Sequence, residues 1–254
     1  LGMPGGNALL IGLGGSGKQS LTKLASFMQR RALVTLPAST CSQTVLIEHL
    51  REIYKRAGCG EELTFLFTEN DVKEEYYLDY MNMLLTSGEI PGLLPKDELE
   101  MACAELQSTR STASQVNFDP QQAFFENGRL NLHIVLCFSP ASPALRDWVT
   151  RFPGIVNGCT VDYHHPWPEE AYIAVAHHFL DTLNVHCKEE TKAALSNFIT
   201  YSHMEADKIT RQFFGSFRRH VYVTPKMFID LLGAYERLYK GSIEETELHV
   251  QDLR

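Results

Sequence analysis

The run Gly12-Leu13-Gly14-Gly15-Ser16-Gly17-Lys18-Gln19-Ser20 follows the apolar stretch Ala8-Leu9-Leu10-Ile11 and opens into the amphipathic segment Leu21 to Arg30. A short strand, a glycine-rich loop and a helix start, in that order, make the setting of a phosphate-binding P-loop. Glycine reaches backbone conformations closed to other residues. Successive N–H groups and the helix N-terminus can then converge on a polyphosphate. Lys18 places a point charge on the outer phosphates. The hydroxyl residue that normally follows this lysine and holds Mg²⁺ is replaced by Gln19, and Ser20 comes one place late. The loop therefore predicts nucleotide binding and puts hydrolysis in question.

A chain of 254 residues, 44% hydrophobic and 21% charged, can bury a full core and carry a large domain plus a small one. Its formal net charge of −8 argues against a nucleic-acid backbone as the main ligand. Arg211 to His220 is the one candidate for a local basic patch. Cys41, Cys59, Cys103, Cys137, Cys159 and Cys187 form no CxxC pair and no zinc-finger spacing, which predicts reduced thiols in a cytosolic protein. No apolar stretch approaches the roughly 20 residues that span a bilayer, and no signal peptide is expected. The first strand starts within ten residues of Leu1, so the chain reads as a module of something longer.

Strand-like and helix-like segments alternate after the loop. Ala32 to Leu36, Leu63 to Phe67 and Leu132 to Phe138 read as strands. Val45 to Tyr54 and Tyr76 to Leu85 read as helices, with stops at Gly58 and Ser87-Gly88. Near-continuous apolar strands between helices predict an α/β fold with a parallel sheet flanked by helices. Residues 88–129 read as an insertion carrying helices on the surface, with a polar helix over Lys96 to Leu106 and a loop over Ser108 to Asn117. Past Pro166-Trp167-Pro168 the pattern becomes all-helical: Glu169 to Leu183, Lys188 to Tyr201, Ala206 to Phe214 and Pro225 to Tyr239. Thr224-Pro225 supplies an N-cap hydroxyl and a proline at the first helical position. The expected organisation is a large domain over 1–166 and a small helical lid over 167–254.

A P-loop needs an acid at the end of a neighbouring strand to anchor metal and orient water. Thr68-Glu69 stands there where Asp-Glu is usual, so Glu69 remains to polarise water. Ser139, at the tip of the strand ending in Phe138, either touches the γ-phosphate or caps the turn before Pro140. Arg151 reads as an arginine finger for a neighbouring site, Arg146 as a solvated surface arginine. Lys226, one turn into the last helix, is either a plain exposed lysine or a nucleotide contact. His164 and His165 point to opposite faces of an extended segment and read as structural. Phe213, Phe214 and Phe217 read as core or packing aromatics rather than a base-stacking platform.

Together these motifs resemble an AAA+ ATPase module. With Gly88-Glu89-Ile90-Pro91, Arg151-Phe152-Pro153 and Trp167-Pro168 added, they resemble the fourth AAA+ module of dynein heavy chains of the axonemal type, over Leu1 to about Tyr239. The resemblance implies that Gly12, Gly14, Gly15, Ser16, Gly17, Lys18, Gln19 and Ser20 hold phosphate, with Ser20 and Glu69 toward Mg²⁺. It implies that Glu69 is the Walker B glutamate with Thr68 in place of the aspartate, that Ser139 and Lys226 are the two sensors, and that Arg151 serves the preceding module. It implies bound ATP or ADP with Mg²⁺, adenine against the residues near Leu1 to Pro4 and the lid, and slow or absent hydrolysis in a regulatory ring segment. Partners implied are the neighbouring modules of the same chain and, through the stalk that the last helix would enter, a microtubule. Residues 244–254 read as stalk root or as an addition. Neither nucleic acid nor membrane is expected. The isolated fragment is expected to be a monomer, and the parent to belong to the cytoskeleton of a cilium or flagellum axoneme. Two rival readings are an independent P-loop enzyme, such as a small-molecule kinase, and a purely structural module without exchangeable nucleotide.

Overall fold

The computed structural model describes residues 2–37, 42–109, 119–183, 185 and 187–252. Strands β1 (Ala8–Gly12), β2 (Ala32–Thr35), β3 (Leu63–Thr68), β4 (Leu132–Phe138) and β5 (Thr160–His164) form one parallel sheet, ordered β2-β3-β4-β1-β5. All seven residues of β4 are buried, as a central strand covered on both faces requires. On one face Leu63, Phe65, Phe67, Ile134, Leu136 and Phe138 belong to the main core. On the other, Leu66, Val135 and Cys137 form a smaller cluster with Ala8, Leu10 and Leu33. The residue alternation of β3 and β4 divides them between the two faces.

The helices of this α/β part are α1 (Lys18–Met28), α2 (Gln43–Gly58), α3 (Tyr76–Thr86), α4 (Lys96–Thr109), α5 (Pro120–Asn131), α6 (Ala144–Arg151) and the short α7 (Gly154–Asn157). Helix α1 inverts the expected amphipathic arrangement. It buries Thr22 and Ser26, while Leu21, Leu24, Phe27 and Met28 are exposed, Phe27 by 81%. Its inward hydroxyls are satisfied locally, Thr22 donating to the Lys18 carbonyl and Ser26 to that of Arg31. Small inward side chains let the helix lie close on the sheet.

The segment read as a surface insertion also differs from expectation. Helix α4 runs on to Thr109, and residues 110–117 of the expected loop lie outside the described residues. Helix α5 is part of the core: Phe124 is fully buried and packs edge-on to Tyr54 of α2. Asn127 and Asn131 donate to the carbonyls of Gly58 and Ala57 at the end of α2. Asp119 caps α5 by accepting from the amides of Gln121 and Gln122, with Pro120 at the first helical position. Strand β5 has no long apolar run to announce it, because its residues face an exposed sheet edge.

The chain divides into two compact units, one comprising the residues up to Gly12 with Gly17–His164, the other Leu13–Ser16 with the residues from His165 onward. The second unit contains α8 (Glu169–Thr182), α9 (Glu189–Phe217) and α10 (Pro225–Asp252). Its core joins Tyr172, Ala176, Ile199, Phe228 and Leu232. The two helices expected over 188–214 are one continuous helix, since nothing between Tyr201 and Ala206 breaks it and His203 there packs inward against Tyr172 and Phe228. Of the two roles expected for Phe213 and Phe217, packing holds and core does not: they stack on each other at the surface, 37% and 68% exposed. No helix among the described residues is long and apolar enough to cross a membrane.

Two buried histidines set a pH dependence. His133 is fully buried on β4, with Nδ1 2.7 Å from the Gly6 carbonyl, and burial holds its pKa below the ordinary value. Burial does the same to His203. Both favour the neutral ring in the folded state, so their stabilisation is complete above about pH 6.5, where unfolded histidine titrates. It is lost as the pH falls from there through the lowered folded values. Urea unfolding should show stability dropping between pH 7.5 and 5.5, with a flatter decline in His133→Gln. Equal declines in both proteins would refute the assignment.

Candidate functional site

Parallel sheets bind ligands beyond the carboxyl ends of their strands, where successive connections leave in opposite directions. Here the chain leaves β1 toward β2 on one side, and leaves β4 toward β5 on the other. The boundary between β1 and β4 is that point. The glycine-rich loop follows β1, Ser139 follows β4, and Glu69 follows β3 one strand over.

Gly15 and Gly17 hold φ of 82° and 92°, in the left-handed region that favours glycine. Gly17 is the N-cap of α1, which has no side-chain cap hydrogen bond and no acid in its own first turn. Ser16 donates its amide to the Leu13 carbonyl and closes the turn. Within the second unit the loop tip meets the start of α10: a Cβ on Gly15 would stand 2.3 Å from the backbone N of Lys226. The side chain of Lys226 is exposed, as are those of Gln19 and Ser20.

Lys18 Nζ donates to the Gly12 carbonyl at 2.6 Å, folding the side chain back along its own loop. Partial burial lowers the lysine pKa, opposed by the charge of the Glu69 carboxylate. Cys137 is pushed up to about 11 by burial, against the pull of Lys18 and the Thr22 hydroxyl, and so stays a neutral thiol. Glu69 Oε2 accepts from the Ser139 amide at 3.0 Å. The Ser139 hydroxyl accepts from the Ala141 amide at 3.3 Å, which closes the turn after β4. Lys18, Glu69 and Ser139 thus stand at one strand end.

Arg151 is placed elsewhere. It makes a bidentate pair with Glu75 at the start of α3, Nη1 to Oε1 and Nη2 to Oε2, both side chains more than half exposed. The sequence reading also passed over Asp71. Its Oδ2 accepts from both the amide and the hydroxyl of Thr68, each at 2.7 Å. The signal was present as a Thr-x-x-Asp spacing, the reciprocal cap of a helical turn, here the 3₁₀ turn Glu69–Asp71.

The donor set fits a polyphosphate: backbone amides at the start of α1 behind the left-handed Gly17, and one lysine. It fits a magnesium ion through oxygen groups alone, the Thr68 hydroxyl and the Glu69 and Asp71 carboxylates.

Residues 1–238 match the family described as P-loop containing dynein motor region D4. The chain is 38% identical over 257 residues to dynein axonemal heavy chain 5 of Rattus norvegicus, covering 98% of this chain and 7% of that protein. It is 40% identical over 246 residues to dynein axonemal heavy chain 8 of Mus musculus, covering 94% of this chain and 5% of that protein. It is 35% identical over 239 residues to the dynein gamma chain, flagellar outer arm, of Chlamydomonas reinhardtii, covering 92% of this chain and 5% of that protein. The chain therefore spans 5–7% of the length of these relatives.

Proposed function

The chain belongs to the dynein motor D4 family of P-loop proteins, and from that premise we propose that it binds ADP or ATP with magnesium as a regulatory ring segment of an axonemal-type heavy chain. The observation that carries this reading is the opening of α1: two left-handed glycines, uncapped amides and Lys18 folded onto Gly12. Amides of the loop and of the first turn of α1 take the phosphates, Lys18 exchanges the Gly12 carbonyl for a phosphate oxygen, and Ser139 faces the terminal phosphate. Ser20, exposed on α1, stays with Glu69 as a magnesium candidate, and Lys226 would reach the nucleotide from α10. Bound magnesium neutralises phosphate charge.

Residues 1–166 act as the nucleotide-binding part and 167–254 as the lid, with α10 leading toward the stalk. Nucleotide then biases the arrangement of the two, which neighbouring modules of the same chain and a microtubule-binding stalk would sense. Arg151 serves the site of the preceding module, presented by its pair with Glu75. The parent works in the axoneme of a cilium or flagellum.

Turnover is slow in this reading. Gln19 and Thr68 stand where a hydroxyl and an acid would hold metal, and Glu69 is engaged by the Ser139 amide rather than aimed at water. A phosphate-release assay should give a background rate that Glu69→Gln leaves unchanged. Steady turnover abolished by that substitution would contradict slow hydrolysis while leaving binding intact.

A further inference from the structure

Side chains alternate along a strand, so the residue at position 68 and the one at 69 leave β3 toward different faces. Thr68 pairs with Cys137 on β4, and Cys137 pairs with Leu10 on β1. Leu10 and Cys137 belong to the cluster on the α1 face of the sheet, where Cys137 also meets Thr22 and feels Lys18. Thr68 therefore turns toward the first turn of α1, and Glu69 turns away to the Ser139 amide. At this last position of β3, on the α1 face, the strand carries a hydroxyl and no charge.

The charge is supplied one hydrogen bond further out. Asp71 Oδ2 accepts both the Thr68 hydroxyl and the Thr68 amide at 2.7 Å, and Oδ1 takes part in neither bond. The hydroxyl proton is thereby committed to Asp71. One lone pair of Thr68 Oγ1 takes the Asp71 amide of the reciprocal cap, and the other is left as an acceptor toward the water shell that magnesium keeps around itself. The Asp71 charge also acts on the Cys137 thiol, as Lys18 does, so it is felt inside the same group.

Resting on the proposed nucleotide site, we propose that Asp71 is a positioning residue for its magnesium ion. It acts through Thr68 to replace the carboxylate that β3 lacks. Outer partners of this kind typically change metal affinity by about 10- to 100-fold when removed.

The test is the affinity of a fluorescent ADP analogue for the full chain, measured in EDTA and across a magnesium titration. Asp71→Asn should leave the EDTA affinity within about twofold and raise the magnesium concentration for half-maximal effect by about 10-fold. Thr68→Val should do the same, and Thr68→Ser should match the wild type. Thr68→Asp combined with Asp71→Asn should restore the magnesium response. A purely structural cap would lower the melting temperature of Asp71→Asn and leave the magnesium response unmoved; that result overturns the inference. A wild type that binds the analogue with no magnesium effect also overturns it and leaves the nucleotide site standing. A wild type that does not bind the analogue at all removes both. Should Asp71→Asn fail to fold, the Thr68→Val and Thr68→Ser pair decides, since both keep Asp71 in place.

Discussion

Lys18→Ala is expected to weaken binding of a fluorescent ADP analogue by about 10- to 150-fold, the 1.5–3 kcal/mol carried by a hydrogen bond to a charged group. The side chain stands at the first residue of α1, partly buried and already folded toward the loop on the Gly12 carbonyl. Its charge is therefore preorganised, and little rotamer freedom is left to lose on binding. Alanine is the best helix former, so α1 should persist and circular dichroism should not change. The loop amides remain in the variant, which is why binding weakens without vanishing. Lys18→Arg should recover only part of the loss, since a planar fork does not fill the place of a compact ammonium. Equal affinity in wild type and Lys18→Ala would mean that the loop does not hold the phosphates.

Phe124→Ala is expected to cost about 3–5 kcal/mol of stability, the range for a fully buried phenylalanine. The ring is fully buried between α5 and α2, edge-on to Tyr54 at 6.0 Å and to Phe125 at 5.8 Å. Gly58 lies directly against it, and a Cβ there would meet the ring at 2.3 Å. The surroundings are held from both sides and have little freedom to collapse into the space alanine leaves. Urea unfolding followed by tryptophan fluorescence measures the loss. A change below about 1 kcal/mol would show that α5 is a peripheral addition to the α/β part, as the sequence suggested.

What the sequence made legible follows from how each signal arises. Leu132 to Phe138 announced β4 because a strand covered on both faces must be apolar at every position. The glycine-rich loop was equally plain, because Gly15 and Gly17 hold conformations that other residues rarely adopt. Strand β5 was illegible: an exposed edge imposes no apolar pattern on Thr160–His164. In α1 the apolar stripe was visible but faces the wrong way, since close packing on the sheet selected Thr22 and Ser26 for the inside. Periodicity shows that a helix has two faces, not which one is buried. The aromatic run Phe213 to Phe217 likewise left core and surface packing open, and the rings of Phe213 and Phe217 stack on each other at the surface.

The site divides along the same line. Lys18, Glu69 and Ser139 are each tied to a strand end, so locating the strands located them. Asp71 and Glu75 act through partners, Thr68 and Arg151, and only coordinates show which partner each one takes. Three residues separate Asp71 and Glu75, and spacing alone ranked neither above the acids around them.

Amide hydrogen exchange with and without saturating ADP tests the central claim most directly, because it reports where the nucleotide sits as well as whether it binds. Exchange at residues 13–20 should slow markedly when ADP is present, and Lys18→Ala should require more ADP to reach the same protection. Unchanged exchange across that loop at saturating ADP, or protection confined to another segment, would contradict a phosphate site at the opening of α1.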